Sequence, residues 1–151
     1  EQMTLNHWVE GSSPSEVTMQ HVLLLLFLCS SFLPLRAQVF HLEPNDFLKS
    51  IEENPRAQVL DLRDPPDYSF KHIPGAVNIQ PTDAFFLEEV RNQLSASDTL
   101  FIYCRIGNTK EVSRLLLDNG YRVICNLKGG SVAWDTWLEK ERRRERKARR
   151  P

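Results

Sequence analysis

Cysteine is scarce in this chain, with three in 151 residues, and one of them, Cys29, lies inside an uncharged apolar run. That leaves Cys104 and Cys125, too few for the disulfide framework of a small secreted fold. No Cys-x-x-Cys pair and no Cys/His spacing suggests a zinc site, so no metal is expected. No internal repeat is present, and the longest apolar run, Val22 to Leu35, is fourteen residues. A comfortable membrane helix needs about 20. The formal net charge of −1 conceals an asymmetry: residues 140–151 carry eight Lys/Arg against two Glu, so the body is acidic and the tail basic.

What is present suffices for one domain. Hydrophobic residues make up 41% and charged residues 26%, enough for a packed core. "VLLLLFLCSSFLPL" (22–35) has the length of a signal-peptide h-region, with Ala37 just before a cleavage point. Residues 1–37 are therefore set apart as a polar segment plus this run. Export to a periplasmic or extracellular compartment is the expectation, and a membrane anchor at 22–35 the alternative; a cleaved run would leave no stable membrane span.

From Gln38 the pattern alternates. "NDFLKSIEEN" (45–54) spaces Phe47, Leu48 and Ile51 for a helix; "AQVLDL" (57–62) and "AVNIQ" (76–80) predict strands. "DAFFLEEVRNQL" (83–94) predicts a helix, "TLFIY" (99–103) a buried strand, "TKEVSRLLLDNG" (109–120) a helix ending at Gly120, and "YRVICNL" (121–127) a strand. A last helix begins near Ser131, with Trp134 and Trp137 on its apolar face, which fades after Leu138. Alternating strands and helices indicate an α/β domain over 38–138, with a mainly parallel sheet flanked by helices on both faces. The tail, 139–151, is a helical extension or disordered; Glu139/Arg143 and Glu145/Arg149 at i, i+4 favour a solvated helix over a nucleic-acid-binding one.

In such a sheet ligands collect at the carboxyl ends of the strands, and Cys104 directly follows "TLFIY". The helix after it begins about five residues later, and the unpaired amides of its first turn, with Arg105 next door, favour a thiolate. The loop "RIGNT" can wrap an anionic group with main-chain donors, and Gly107 permits a turn that a side chain would obstruct. Cys104 is thus the candidate nucleophile, the alternative being a buried strand-end cysteine.

Three segments in this order and spacing, "VLDLRDPPDYSFKHIPGAVNI" (59–79), "IYCRIGNT" (102–109) and "NLKGGSVAW" (126–134), resemble the rhodanese-like sulfurtransferase domain. The resemblance implies a cysteine that takes a sulfane sulfur from a small donor such as thiosulfate, holds it as a persulfide, and passes it to cyanide, a thiol or a protein acceptor, with no cofactor. It makes Cys104 the persulfide carrier. Arg105, Ile106, Gly107, Asn108, Thr109 and Arg63 become the substrate-binding set, with Asp61 and Lys110 supporting. Asp61 and Arg63 are expected as an ion pair that fixes the loop, with Asp67 as a further partner, a catalytic part being the alternative. His72 is expected as a hydrogen-bonded scaffold residue.

Loop length separates this chain from the dual-specificity phosphatases of similar architecture, which place Arg six positions after the cysteine, where Lys110 stands here; a lysine is only a point charge. An arsenate-type reductase is disfavoured on the same ground. "CRIGNT" is similar to the loop of two-domain thiosulfate sulfurtransferases in its Arg, Gly and Thr, but their third position is commonly basic and this one is Ile106. Single-domain relatives often have Arg at the position of Thr109. Both departures remove positive charge and weaken the case for thiosulfate. The rival from another class is a non-catalytic binding module that keeps the fold. Cys125 is expected in the core, a resolving thiol for Cys104 being the alternative.

Overall fold

The computed structural model describes residues 37–150. The expected signal or anchor run, 22–35, lies outside the described residues. Five strands, β1 (Gln38–Leu42), β2 (Gln58–Asp61), β3 (Ala76–Asn78), β4 (Leu100–Tyr103) and β5 (Val123–Leu127), form one sheet in the order β1-β5-β4-β2-β3. Every pairing is parallel. Five helices connect or follow them: α1 (Pro44–Glu52), α2 (Pro65–Phe70), α3 (Phe86–Gln93), α4 (Lys110–Asp118) and α5 (Gly130–Ala148).

Parallel strands buried on both faces read as continuous apolar runs, and β4, Leu-Phe-Ile-Tyr, is buried at all four positions. Its side chains alternate: Leu100 and Ile102 pack with Leu60, Val90, Leu116 and Ile124 beneath α3 and α4. Phe101 and Tyr103 pack on the other face with Phe47 of α1 and Trp134 of α5. Phe47 anchors that side, its ring edge-on to Phe101 at 5.3 Å and to Trp134 at 6.3 Å. Helices therefore cover both faces, as the alternation implies.

The helix ends follow local chemistry. Proline opens α1 and α2, where the missing amide costs nothing. The chain leaves α4 through Gly120, whose φ of +98° lets its N–H return to the Leu117 carbonyl. α5 continues well past Leu138, its solvated part carrying Glu139–Arg143 and Glu141–Arg144 ion pairs. Arg149 meets Glu145 through the backbone rather than through an ion pair. Among the described residues no helix is long and apolar enough to cross a membrane. Two elements depart from the expected pattern: Gln38–Leu42 is an edge strand paired with β5, and Pro65–Phe70 forms a short helix.

Candidate functional site

After β3 the chain returns to the middle of the sheet, so β4 lies between β2 and β5 and its carboxyl end opens at the centre of the domain. Cys104 is the first residue beyond it, half-buried, with its side chain against the α3/α4 core cluster. Leu62, Arg63, Asp64, Asp67, Arg105, Ile106 and Asn108 join it around a crevice of about 280 Å³.

Close backbone approach builds the loop. The N–H groups of Ser131 and Val132, in the first turn of α5, donate to the carbonyls of Cys104 (2.9 Å) and Arg105 (3.2 Å). A β-carbon on Gly130 would lie 2.3 Å from the Cys104 carbonyl oxygen, and one on Gly107 would lie 2.7 Å from the Gly129 nitrogen. Both glycines have positive φ, so only glycine satisfies the space and the backbone together. With two loop carbonyls taken up by α5, the amides of Arg105, Ile106, Gly107 and Asn108 have no acceptor among the described residues. Such a set of free donors suits an anionic sulfur species.

Beneath the crevice lies a buried polar network. The Asp61 carboxylate, fully buried, accepts from Nε of Arg63 at 2.9 and 3.0 Å, and also from its Nη2 and from the Tyr103 hydroxyl. Arg63 donates onward to the Lys71 carbonyl at 2.7 Å, and the Tyr103 hydroxyl accepts the Ile73 amide at 3.2 Å. The Asn78 side chain donates to the carbonyls of Asp61 (3.0 Å) and Arg63 (2.8 Å). These bonds tie the ends of β2, β3 and β4 to the turn at Pro74–Gly75. The hydrogen bond to Asp61 holds the Arg63 guanidinium more firmly protonated than usual, and burial, then the bond to Asp61, pushes the Tyr103 hydroxyl well above its ordinary range. Its Asp61 and Tyr103 are out of solvent's reach.

Asp67 pairs with Arg105 (3.2 Å) rather than joining the Asp61–Arg63 pair. Lys110 does not line the Cys104 crevice; it lies on a separate groove with Val39, His41, Ser113, Arg114 and Leu117, because it begins α4 one step past the loop. Thr109 is buried, with no partner for its Oγ1 among the described residues, and so stands behind the loop rather than in the crevice. Arg63, Arg105, Ile106 and Asn108 are at the crevice, and Gly107 shapes the loop from within. His72 stacks on Tyr68, its Nδ1 against the Tyr68 carbonyl, and does not line the Cys104 crevice.

Three contributors escape sequence reasoning. Tyr103 carries a hydroxyl that must find a partner at a buried strand end, and Asp64 lines the crevice. Asn126 interrupts the otherwise apolar β5, a signal for a hydrogen-bonding duty. Its Nδ2 donates to the Gly107 carbonyl at 3.2 Å and lies 2.9 Å from Nδ1 of His41.

A half-buried cysteine in an amide-rich loop, at the carboxyl end of a central strand of a parallel α/β sheet, is an arrangement that suits nucleophilic sulfur chemistry or anion binding. The family model of the rhodanese-like domain matches residues 43–136, and the chain belongs to that family. Among curated proteins it is similar to the "Putative sulfur carrier protein YrkF" of Bacillus subtilis, 27% identical over 89 residues covering 58% of this chain and 46% of that one. It is also similar to the "Adenylyltransferase and sulfurtransferase UBA4" of Candida albicans, 23% identical over 101 residues, 63% of this chain and 23% of that one. The chain thus spans less than half the length of either relative. A rhodanese-like domain protein from Staphylococcus aureus shares the fold, with a TM-score of 0.54 and 22% identity over 63% of this chain and 90% of that structure. Among the described residues no group of His, Cys, Asp and Glu could hold a metal ion.

Proposed function

We propose that the domain is a sulfurtransferase or persulfide carrier working through Cys104. The observation that carries the reading is the half-buried Cys104 set in a loop whose carbonyls at Cys104 and Arg105 are held by α5, beside four amides without an acceptor among the described residues. Distant relatives named as a sulfur carrier and a sulfurtransferase support it.

The chemistry is two-step. The Cys104 thiolate attacks the terminal sulfur of a donor; the new S–S bond forms as the donor's bond to that sulfur breaks, and the donor residue leaves with the electron pair. A thiol or cyanide then attacks the outer sulfur of the persulfide and expels the Cys104 thiolate, giving ping-pong kinetics. The amides of residues 105–108 stabilise the persulfide anion, and Arg105 adds a positive charge at the rim. Arg63 and Asp61 prop the crevice from below. In this reading the protein acts after export, directed by residues 22–35, and its mature N-terminus after expression with the full leader tests that part.

For the central claim, purified protein is incubated with a sulfane-sulfur donor and weighed intact. Wild type gains one sulfur atom, removable by cyanide or a thiol, and Cys104→Ser gains none. Equal gain in both would remove Cys104 from the chemistry and favour a non-catalytic binding module.

A further inference from the structure

Charge at the crevice is closely balanced. Its lining contains two cations, Arg63 and Arg105, and two anions, Asp64 and Asp67. Arg63 is not free to receive a substrate anion: its guanidinium is held by Asp61 and the Lys71 carbonyl, and its side chain is only 9% exposed. Arg105 is paired with Asp67 at 3.2 Å, which offsets its charge. Asp64 accepts a hydrogen bond from the neutral Gln80 amide and so keeps its charge uncompensated. Lys110, the cation nearest in sequence on the other side, faces a different groove. A donor carrying two negative charges meets no surplus of positive charge here.

Apolar side chains are exposed beside these charges. Ile106 is 68% exposed at the tip of the loop, and Val132, 55% exposed, is joined to the loop through its amide bond to Arg105. An exposed isoleucine beside a nucleophile offers carbon, and no charge, to whatever docks there. Ile106 lines the crevice together with Cys104, so a bulky donor that reaches Cys104 meets it.

From this we infer that the sulfur donor of this site is an alkyl persulfide flanked by apolar groups, R–S–SH on a cysteine of an apolar peptide or protein surface, rather than a dianion such as thiosulfate. The inference rests on the persulfide-carrier reading above. The step balances without an oxidant or reductant: the Cys104 thiolate attacks the outer sulfur of R–S–SH, a new S–S bond forms, the old one breaks, and R–S⁻ leaves with the electron pair. Ile106 and Val132 receive the apolar flank of R. The amides of the loop receive the transferred sulfur, which needs dipoles rather than a full counter-charge. Asp67 acts as a specificity residue by occupying Arg105.

Loading of Cys104 is followed by intact mass with three probes: a short peptide whose cysteine persulfide is flanked by leucines, the same peptide with aspartates in place of the leucines, and thiosulfate. The two peptides share one leaving group, so their ratio reports the rim alone, and N-acetylcysteine persulfide as a fourth arm tells a small donor from a peptide-borne one. Wild type should load from the leucine-flanked peptide about tenfold faster than from the aspartate-flanked one and faster than from N-acetylcysteine persulfide. Ile106→Lys should shrink or invert the peptide ratio. Ile106→Lys and Asp67→Asn should each raise the thiosulfate rate about three- to tenfold at low salt, and less at high salt because the added attraction is screened. Both side chains are at the surface, so the variants should fold. Equal or faster loading from the aspartate-flanked peptide, or a thiosulfate rate unmoved by both variants, overturns the inference while leaving Cys104 as the carrier. No loading from any probe overturns the carrier reading itself.

Discussion

Cys125 sits on β5 and Cys104 just past the end of the neighbouring parallel strand β4, yet their surroundings have little in common. Cys125 pairs with Phe101, three residues before Cys104, and points into the cluster of Phe47, Phe101 and Trp134. Cys104 lies against the opposite face and beyond the strand end, where the chain turns away and amides replace carbon. Burial pushes the Cys125 thiol up to about 11, which leaves it a small apolar residue at neutral pH. The difference teaches that register, not residue type, decides which thiol borders the loop and which lies in the core. A shift of one residue in β5 would carry Cys125 to the other face.

The same register bears on the resolving-thiol alternative. At about 3.3 Å per residue, three positions offset the two Cα atoms by roughly 10 Å along the strand direction, against a limit of about 7 Å between the Cα atoms of a disulfide. The placement supports Cys125 as core packing.

The largest expected effect is in reactivity. With a neutral alkylating reagent, Cys104 should react in the native protein, whereas Cys125 should react only through opening of the core, slower by at least about a thousandfold given an ordinary domain stability of 5–15 kcal/mol. Peptide mapping after a timed quench reads both sites. Comparable rates would show that the core around Cys125 opens readily and that the contrast between the thiols is shallow.

Next in size is the network beneath Cys104. Asp61→Ala leaves the Arg63 guanidinium without its buried partner and the Tyr103 hydroxyl without an acceptor, and should cost about 3–5 kcal/mol. Urea titration measures the loss. If the pair is a prop, the folded fraction of the variant still takes up sulfur on Cys104. Lost uptake with stability unchanged would instead give Asp61 a part in the chemistry.

The smallest effect concerns the core thiol and alkaline pH. An unfolded chain ionises Cys125 near 9, while the folded chain holds its proton up to about 11. Between these values the unfolded state binds fewer protons, so stability present below pH 9 is lost as pH rises through 11, by about 2–3 kcal/mol from this residue. Tyr103 and Tyr121, also raised by burial, deepen the alkaline loss. Cys125→Ala isolates the cysteine's share: its stability should fall less steeply than that of wild type over pH 9–11, and parallel curves would contradict the shift.

Much of this was legible in the sequence because the signals are local. The apolar run of β4 followed by Cys104 and the glycine of the loop each announce their backbone role. The strand at Gln38–Leu42 was not legible, since its side chains are largely exposed at the sheet edge and show no alternation. The helix at Pro65–Phe70 buries no residue and carries no periodicity. Lys110 could be assigned a supporting place from its spacing to Cys104, but only the turn into α4 decides that it faces another groove. Asp67 was linked to the right region and the wrong arginine, because partner choice depends on where α2 sets the carboxylate in space.

The most direct test of the account is the fate of a single sulfur atom. Wild-type protein, Cys104→Ser and Cys125→Ser are each exposed to a sulfane-sulfur donor, freed of excess reagent and weighed intact, before and after cyanide. The account predicts one added sulfur on wild type and on Cys125→Ser, removed by cyanide, and none on Cys104→Ser. Sulfur retained by Cys104→Ser, or absent from wild type with every donor tried, would contradict it.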